Sequence, residues 1–345
     1  MSKRLLERAR REGHPLIDGK TVTFLWEGEG APQLIDDLHD WEEHPQKLTR
    51  VSPRLWACSF DLPLDAYFEY AFFDPLTNQR TRDPLNARLV FNGLGNYNNF
   101  FYMPGASPSI LTRRQPNIPR GSLSMHTVET GMLKFPGTRR IHLYHPPSRE
   151  RVPLLIVYDG PDYLRRGRLP VILDNQVAEK RIPPIAMAFL PNGGQRRGVE
   201  YACSDATLDW IEHEVLPLAE NELNLVDLKR HPGAFGVLGA SLGGLMAVYT
   251  GLRLPDIFGR VISQSGVFET ESRDFVAVEL IRHAPARPRI YMDVGRLESL
   301  LQDNRRIVPL LREHGFDLTY HEYSGAHNYT SWRDHVHLGL EKIFG

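Results

Sequence analysis

The chain has no apolar run approaching the roughly 18 residues needed to cross a membrane as a helix. Nor does it begin with the apolar segment that directs secretion. Its first 13 residues, MSKRLLERARREG, are instead arginine-rich with helical spacing, and a cytoplasmic location is expected. Net charge is nearly absent too: 41 Lys and Arg against 42 Asp and Glu leave a formal charge of -1. That removes the basic field through which a protein holds nucleic-acid phosphates. Cysteine is scarce, with only Cys58 and Cys203. Neither has a second thiol at metal-ligand spacing, so two buried free thiols are expected rather than a disulfide or a metal site. Hydrophobic residues at 41% and charged residues at 24% exclude a disordered or fibrous chain, and 345 residues suggest two domains.

Residues 20 to 103 also lack a persuasive amphipathic helix. Thr21–Trp26, Arg54–Phe60 and Ala66–Phe73 are rich in aromatic and β-branched residues and are separated by turn formers, the pattern of a small β-sandwich. The segment PGASPSILTRRQPNIPRG, residues 104–121, offers neither helix nor ladder and reads as a linker. A sandwich domain with the start of the linker is therefore expected over 1–115 and a second domain over 116–345.

In the second domain, apolar strand candidates alternate with segments of helical period. Strands are expected at 122–129, 138–145, 152–159, 184–190, 234–239, 259–264, 288–294 and 317–322, the first two as an antiparallel hairpin. Helices are expected at 204–223, 241–252, 273–283, 300–314 and 331–343. The fold class is α/β, with a mostly parallel eight-stranded sheet covered on both faces.

Residues 239–243, GASLG, match G-x-S-x-G between a buried strand and a helix. Glycines permit the tight corner that lifts a serine oxygen above the sheet, which makes Ser241 the candidate nucleophile. The helix that follows aims its N-terminal amides at the reaction centre, so Leu242 N–H is the natural first donor to an oxyanion. A second should come from the loop Tyr158–Tyr163. Pro161 has no N–H, which leaves Gly160 or Asp162.

In this fold the triad runs Ser, acid, His along the chain, with the last two after the seventh and eighth strands. His327, in the loop Tyr323–Tyr329, satisfies that order and can serve as general base. His321 and His335 fall in a strand and a helix, where structural roles are expected. For the acid, Asp293, Glu298 and Asp303 are available. Asp293 lies in the strand and Asp303 in the first turns of a helix, so Glu298, in the loop between them, is preferred. The triad carries the chemistry itself, and neither a metal nor an organic cofactor is indicated.

The catalytic part resembles the enterochelin esterase and esterase D group of α/β-hydrolases, which includes feruloyl and acetylxylan esterases. The likeness is carried by Val157–Gly160, Arg197–Tyr201, Gly239–Gly244, Pro255 with Phe258 and Gly259, Ser263–Gly266, Gly295–Glu298, and Gly325–His327 followed by Trp332. It implies Ser241 as nucleophile, His327 as base and Glu298 as acid, the last through a G-x-x-D/E position. Two departures bear on oxyanion geometry and pocket shape: Ala326 stands where Gly-Gly-His is usual, and Pro161 follows Gly160. The N-terminal domain is similar to the early-set sandwich that precedes such hydrolase domains and to glycogen-binding modules, through Val22–Trp26, Trp41, Trp56, Tyr67–Tyr70, Asp83–Pro84 and Met103–Gly105. It is expected to contribute pocket walls or homodimer contacts rather than to bind sugar, because sandwich aromatics are usually core.

Arg197 and Glu200 stand three residues apart and could form a surface ion pair. The resemblance instead implies that this segment lies close to the active site, which makes Arg197 and Glu200 substrate-binding candidates. Tyr163 and Trp332 are further candidates. The expected activity is hydrolysis of short-chain or aryl carboxylic esters through an acyl-serine, with a small-molecule ester as the partner. The alternatives are a siderophore-lactone or feruloyl-sugar esterase, or an acyltransferase that resolves the same acyl-serine with an alcohol, as in the related mycolyltransferases.

Overall fold

Short strands rich in aromatic residues build the first part of the chain. The computed structural model describes every residue except Met1 and Ser272, and it divides into two units. The first holds Met1–Pro108 with two short later segments, Gly295–Ser299 and Tyr323–Asn328, and the second holds the remainder from Ser109.

In the first unit, helix α1 (Ser2–Glu12) precedes ten strands: β1 (Leu16–Asp18), β2 (Thr21–Glu27), β3 (Gln33–Asp36), β4 (Gln46–Lys47), β5 (Thr49–Ser52), β6 (Leu55–Asp61), β7 (Tyr67–Asp74), β8 (Gln79–Thr81), β9 (Leu89–Phe91) and β10 (Tyr97–Tyr102). They form two sheets, ordered β1-β2-β6-β5 and β4-β3-β7-β10-β9, with β8 added beside β7. Val22 and Phe24 of β2 point into a core shared with Leu34, Phe68, Tyr70, Phe72 and Phe101 from the other sheet. Phe24 meets Tyr70 edge-on at 4.8 Å and Trp26 meets Phe72 at 4.9 Å between ring centroids. The result is a sandwich with an aromatic interior. On the opposite face Leu25 and Leu55 pack with Ala9, Leu5 and Leu6 of α1, which is why the arginine-rich start is a helix with one apolar stripe.

In the second unit the strands are β11 (Ser122–Glu129), β12 (Thr138–His145), β13 (Leu154–Val157), β14 (Ala186–Phe189), β15 (Gly236–Ala240), β16 (Arg260–Gln264), the short pair β17 (Glu269–Thr270) and β18 (Arg273–Asp274), then β19 (Arg289–Gly295) and β20 (Leu318–Tyr323). The main sheet is ordered β11-β12-β14-β13-β15-β16-β19-β20. β11 and β12 make the expected hairpin, and the strands from β14 through β13, β15 and β16 to β19 pair in parallel. All residues of β13, β14 and β15 are buried, as a strand covered on both faces requires.

The helices are α2 (Gly160–Arg165), α3 (Leu169–Ala178), α4 (Arg197–Tyr201), α5 (Asp205–Trp210), α6 (Leu216–Glu222), α7 (Leu242–Arg253), α8 (Val276–His283), α9 (Leu301–Glu313) and α10 (Tyr329–Phe344). Three expectations need correction. The helix expected over 273–283 starts at Val276, because Arg273 and Asp274 pair in β18. The single helix expected over 204–223 is α5 and α6 joined by a π turn, Ile211–Val215. Pro217 in the first turn of α6 lacks the N–H that would continue an α ladder. The stretch expected as a loop through Tyr163 enters α2 at Gly160 instead. Within the linker segment, Asn175 Nδ2 donates to the carbonyls of Leu111 at 2.6 Å and Arg113 at 2.8 Å, which ties that stretch to α3. Both cysteines are free, half-buried thiols. Among the described residues no helix is long and apolar enough to cross a membrane.

The rival histidines sit in packed positions. The rings of His321 on β20 and His335 on α10 lie 6.0 Å apart, and His335 Nδ1 is 2.8 Å from Ser331 O. Burial lowers the His335 pKa from 6.5 to about 4, against partial support from the Ser331 carbonyl. Between those two values the unfolded chain binds a proton that the folded chain refuses, so stability falls as pH drops from about 6.5 towards 4. His142 and His337 are lowered in the same direction by burial. The variant His335→Gln is therefore expected to flatten, without abolishing, the acid-side decline of the urea midpoint. An unchanged slope would refute the assignment.

Candidate active site

Ser241 occupies the corner between β15 and α7 with φ 60° and ψ -126°, a backbone conformation rarely adopted by a residue with a side chain. The corner closes because its glycines have no side chains: a Cβ on Gly239 would lie 2.2 Å from Gly243 O, and one on Gly244 would lie 2.8 Å from Ser263 Oγ. Ser241 N–H donates to Gln264 O at 2.9 Å, and its carbonyl accepts from Gly244 and Leu245. Leu242 N–H, at the start of α7, has no acceptor among the described residues and is available to a developing negative charge.

The expected second donor does not hold in this arrangement. Gly160 N–H donates to Leu190 O at 2.8 Å and Asp162 N–H to Asp159 O at 2.9 Å. The turn into α2 uses both amides internally, and Pro161 has none.

Beneath the corner lies a buried polar chain that the sequence did not reveal. Gln264 Oε1 accepts from Tyr163 Oη at 2.9 Å, while Gln264 Nε2 donates to Asp293 Oδ2 at 3.1 Å and to Trp332 O at 3.2 Å. Asp293, the rival acid, is thus a fully buried residue of β19 bonded to Gln264. Tyr163 and Trp332, expected to touch substrate, are buried instead, with the Trp332 indole N–H on Ser265 Oγ at 2.9 Å.

Asp159, just past β13, adopts the left-handed conformation at φ 51°. Its carboxylate, 3% exposed, accepts from Arg197 Nε at 2.9 Å and Nη2 at 2.7 Å and from Asn192 Nδ2 at 2.5 Å. Arg197 Nη2 also reaches Ala240 O, the carbonyl preceding Ser241, at 3.2 Å. Desolvation opposes the Arg197 charge, but the hydrogen bonds and attraction of Asp159 outweigh it and raise its pKa further. Glu200 does not pair with Arg197. It is buried and held bidentately by Arg139, which corrects the expectation that it faces substrate. The signal missed was Asp159 itself, inside the Val157–Gly160 run, since only folding shows that Arg197 pairs 38 residues back.

Glu298 and His327 form a direct pair. His327 Nδ1 lies 2.6 Å from Glu298 Oε2, the Glu298 side chain is 2% exposed and the imidazole 37%. With Nδ1–H donating to the carboxylate, Nε2 is left as the basic nitrogen. Glu298 Oε1 accepts from Gly295 N–H at 2.7 Å. The two loops are zipped by Arg296 N–H to Tyr323 O at 2.8 Å and Leu297 N–H to Gly325 O at 3.0 Å. A Cβ on Gly295 would lie 2.2 Å from Gly325 O, so the G-x-x-E spacing combines a close backbone approach with a bond from the glycine amide to the Glu298 carboxylate. Asp303, the third acid considered, sits in the first turn of α9.

A serine at a strained strand-to-helix corner over a mostly parallel eight-stranded sheet defines the α/β-hydrolase class. Within it, the chain belongs to the Esterase family, described as "Putative esterase", whose model matches residues 134–341, and it is thereby a member of a family of carboxylic ester hydrolases. It is 27% identical to an iron(III) enterobactin esterase of Dickeya dadantii (strain 3937), over 95% of this chain and 89% of that protein. It is 25% identical to an iron(III) salmochelin esterase of Escherichia coli O6:H1, over 95% and 88%. Among solved structures, ferric enterobactin esterase from Salmonella typhimurium superposes with a TM-score of 0.80 at 22% identity, covering 95% of both chains.

The Asp159–Arg197 pair supplies a stability test. Removing the guanidinium leaves a buried carboxylate uncompensated, so Arg197→Ala is expected to lower the unfolding free energy by about 3 kcal/mol. Urea denaturation reads this directly, and a loss below about 0.5 kcal/mol would mean that solvent screens the pair.

Proposed function

We propose that the chain is a serine carboxylesterase in which Ser241 is the nucleophile, His327 the general base and Glu298 the acid that orients it. The observation that carries the reading is the 2.6 Å pair between His327 Nδ1 and Glu298, which leaves Nε2 as the base. The order of elements supports it: Ser241 and Glu298 follow parallel strands of one sheet, β15 and β19, and His327 follows β20, the neighbour of β19. Ser241 Oγ attacks the ester carbonyl carbon while its proton passes to Nε2. The tetrahedral oxyanion is met by Leu242 N–H, and the C–O bond to the leaving alcohol breaks as the imidazolium returns the proton. Water repeats the sequence on the acyl-serine. In this assignment residues 116–345 form the catalytic domain and residues 1–115 the sandwich with the start of the linker, and the substrate is a small-molecule ester of short-chain or aryl type.

A second reading, hydrolysis of siderophore-type esters, is favoured by the extent of the relatives. The enterobactin and salmochelin esterases align with 95% of the chain, sandwich included. A groove of about 550 Å³, lined by Leu123, Pro161 and Leu164 together with Arg140 and Arg165, offers apolar surface beside two cations, a lining compatible with an anionic aryl ester.

Turnover of p-nitrophenyl butyrate tests the triad. Ser241→Ala is expected to lower kcat by about five to six orders of magnitude and to abolish fluorophosphonate labelling, and Glu298→Gln to lower kcat about 10⁴-fold. Near-normal rates in Glu298→Gln with collapse in Asp293→Asn would move the acid to Asp293. A kcat/KM for an aryl trilactone well above that for p-nitrophenyl butyrate would favour the siderophore reading. Acyl transfer to added glycerol outpacing hydrolysis would instead make the protein a transferase.

A further inference from the structure

The loop that carries His327 is held by the sandwich. Tyr67 N–H, at the start of β7, donates to Ser324 O at 3.2 Å. Asn328 Nδ2, on the residue after the histidine, donates to Asp37 Oδ2 at 3.2 Å. Ala326, 1% exposed, and Leu297, 6% exposed, both belong to the aromatic core with Phe68 and Phe101. The methyl group at 326, where the family pattern has glycine, thus plugs the loop into the sandwich interior.

Asp37 is a firm anchor. The same oxygen that meets Asn328 accepts Glu69 N–H at 2.7 Å, and Asp37 N–H donates to Glu69 O at 3.2 Å. The Glu69 carboxylate is in turn held by Tyr67 Oη at 2.9 Å and Asn98 Nδ2 at 2.8 Å. Burial and the nearby Glu69 push the Asp37 carboxyl well above its usual range, so placing two carboxylates here costs the sandwich stability. Such a cluster is a poor device for holding two sheets together, a task the aromatic core already performs. It is a good device for fixing one loop, because every member has a defined partner. The loop needs fixing: an imidazole 37% exposed on a connecting segment otherwise explores many orientations.

We propose that Asp37 and Asn328 are positioning residues for catalysis, and that through them the N-terminal sandwich sets the His327 imidazole against Glu298. The inference rests on the assignment of His327 and Glu298 as base and acid. The sandwich is then part of the catalytic apparatus whatever else it binds.

The test uses the full chain and p-nitrophenyl butyrate, with Asn328→Ala, Asp37→Ala, their double variant, Asp37→Asn and His327→Ala, and melting curves on each. Asn328→Ala and Asp37→Ala are expected to lower kcat about 10- to 100-fold while KM changes less than about twofold, the signature of a misplaced catalytic group. The double variant should fall within about threefold of the worse single one, since both remove the same bond. Asp37→Asn keeps an acceptor for both donors and should restore most of the rate lost in Asp37→Ala. Because Asn328 lies on a loop, Asn328→Ala reads the idea even where Asp37→Ala fails to fold. Folded single variants with wild-type kcat, or with changes confined to KM, beside an inactive His327→Ala, would overturn the proposal. An active His327→Ala would remove the base assignment and the proposal together.

Discussion

Ser241 is kept at φ 60° and ψ -126° by its surroundings, and the rest of the second unit is arranged to keep it there. A residue in such a conformation costs about 1–3 kcal/mol relative to relaxed backbone, so the corner persists only where neighbours over-determine it. Ser241 N–H is tied to Gln264 O, its carbonyl accepts from the first turn of α7, and the glycines at 239, 243 and 244 leave no side chain in the way. Gln264 is itself fixed by Tyr163 and Asp293, so the constraint extends from β16 to β19 and α2.

Charge completes the support. The buried Asp159 carboxylate lies beside Gly243, where a Cβ would sit 3.1 Å from Asp159 Oδ2. Placed near the start of α7 it benefits from the helix dipole, and Arg197 binds it through two nitrogens while reaching the carbonyl of Ala240. The pair thus links β13, α4 and the strand end that carries Ser241, and Arg139 with Glu200 adds a second ion pair on α4. Asp159 and Glu200 are thus buried carboxylates, each held by a partly buried arginine.

The sheet was legible in the sequence because its strands are short apolar runs bounded by turn formers, so the strands along the chain and the strand-serine-helix corner followed from pattern alone. Helices α2, α3 and α4 were not singled out: α2 and α4 are only a turn or so long, and α3 buries polar Asp174, Asn175 and Gln176 beside its apolar residues, which blurs its period. Glu298 and His327 could be singled out because they lie in loops after the last two strands. The roles of Tyr163, Glu200 and Trp332 could not, because whether a polar side chain faces a pocket or a buried partner is decided by packing. The gap at the second oxyanion donor has the same origin: an amide's availability depends on which carbonyl the folded backbone presents to it.

Two short stretches near the end of the chain, Gly295–Ser299 and Tyr323–Asn328, contribute Leu297 and Ala326 to the interior of a sandwich whose strands all lie before residue 103. During vectorial synthesis the N-terminal module of a chain ordinarily finishes folding before the downstream modules emerge. Here it waits with an open hydrophobic seam until more than 220 further residues have left the ribosome. Nascent chains stalled short of residue 326 would carry that seam exposed, which makes the unfinished sandwich a place for chaperone capture rather than an early autonomous folding unit.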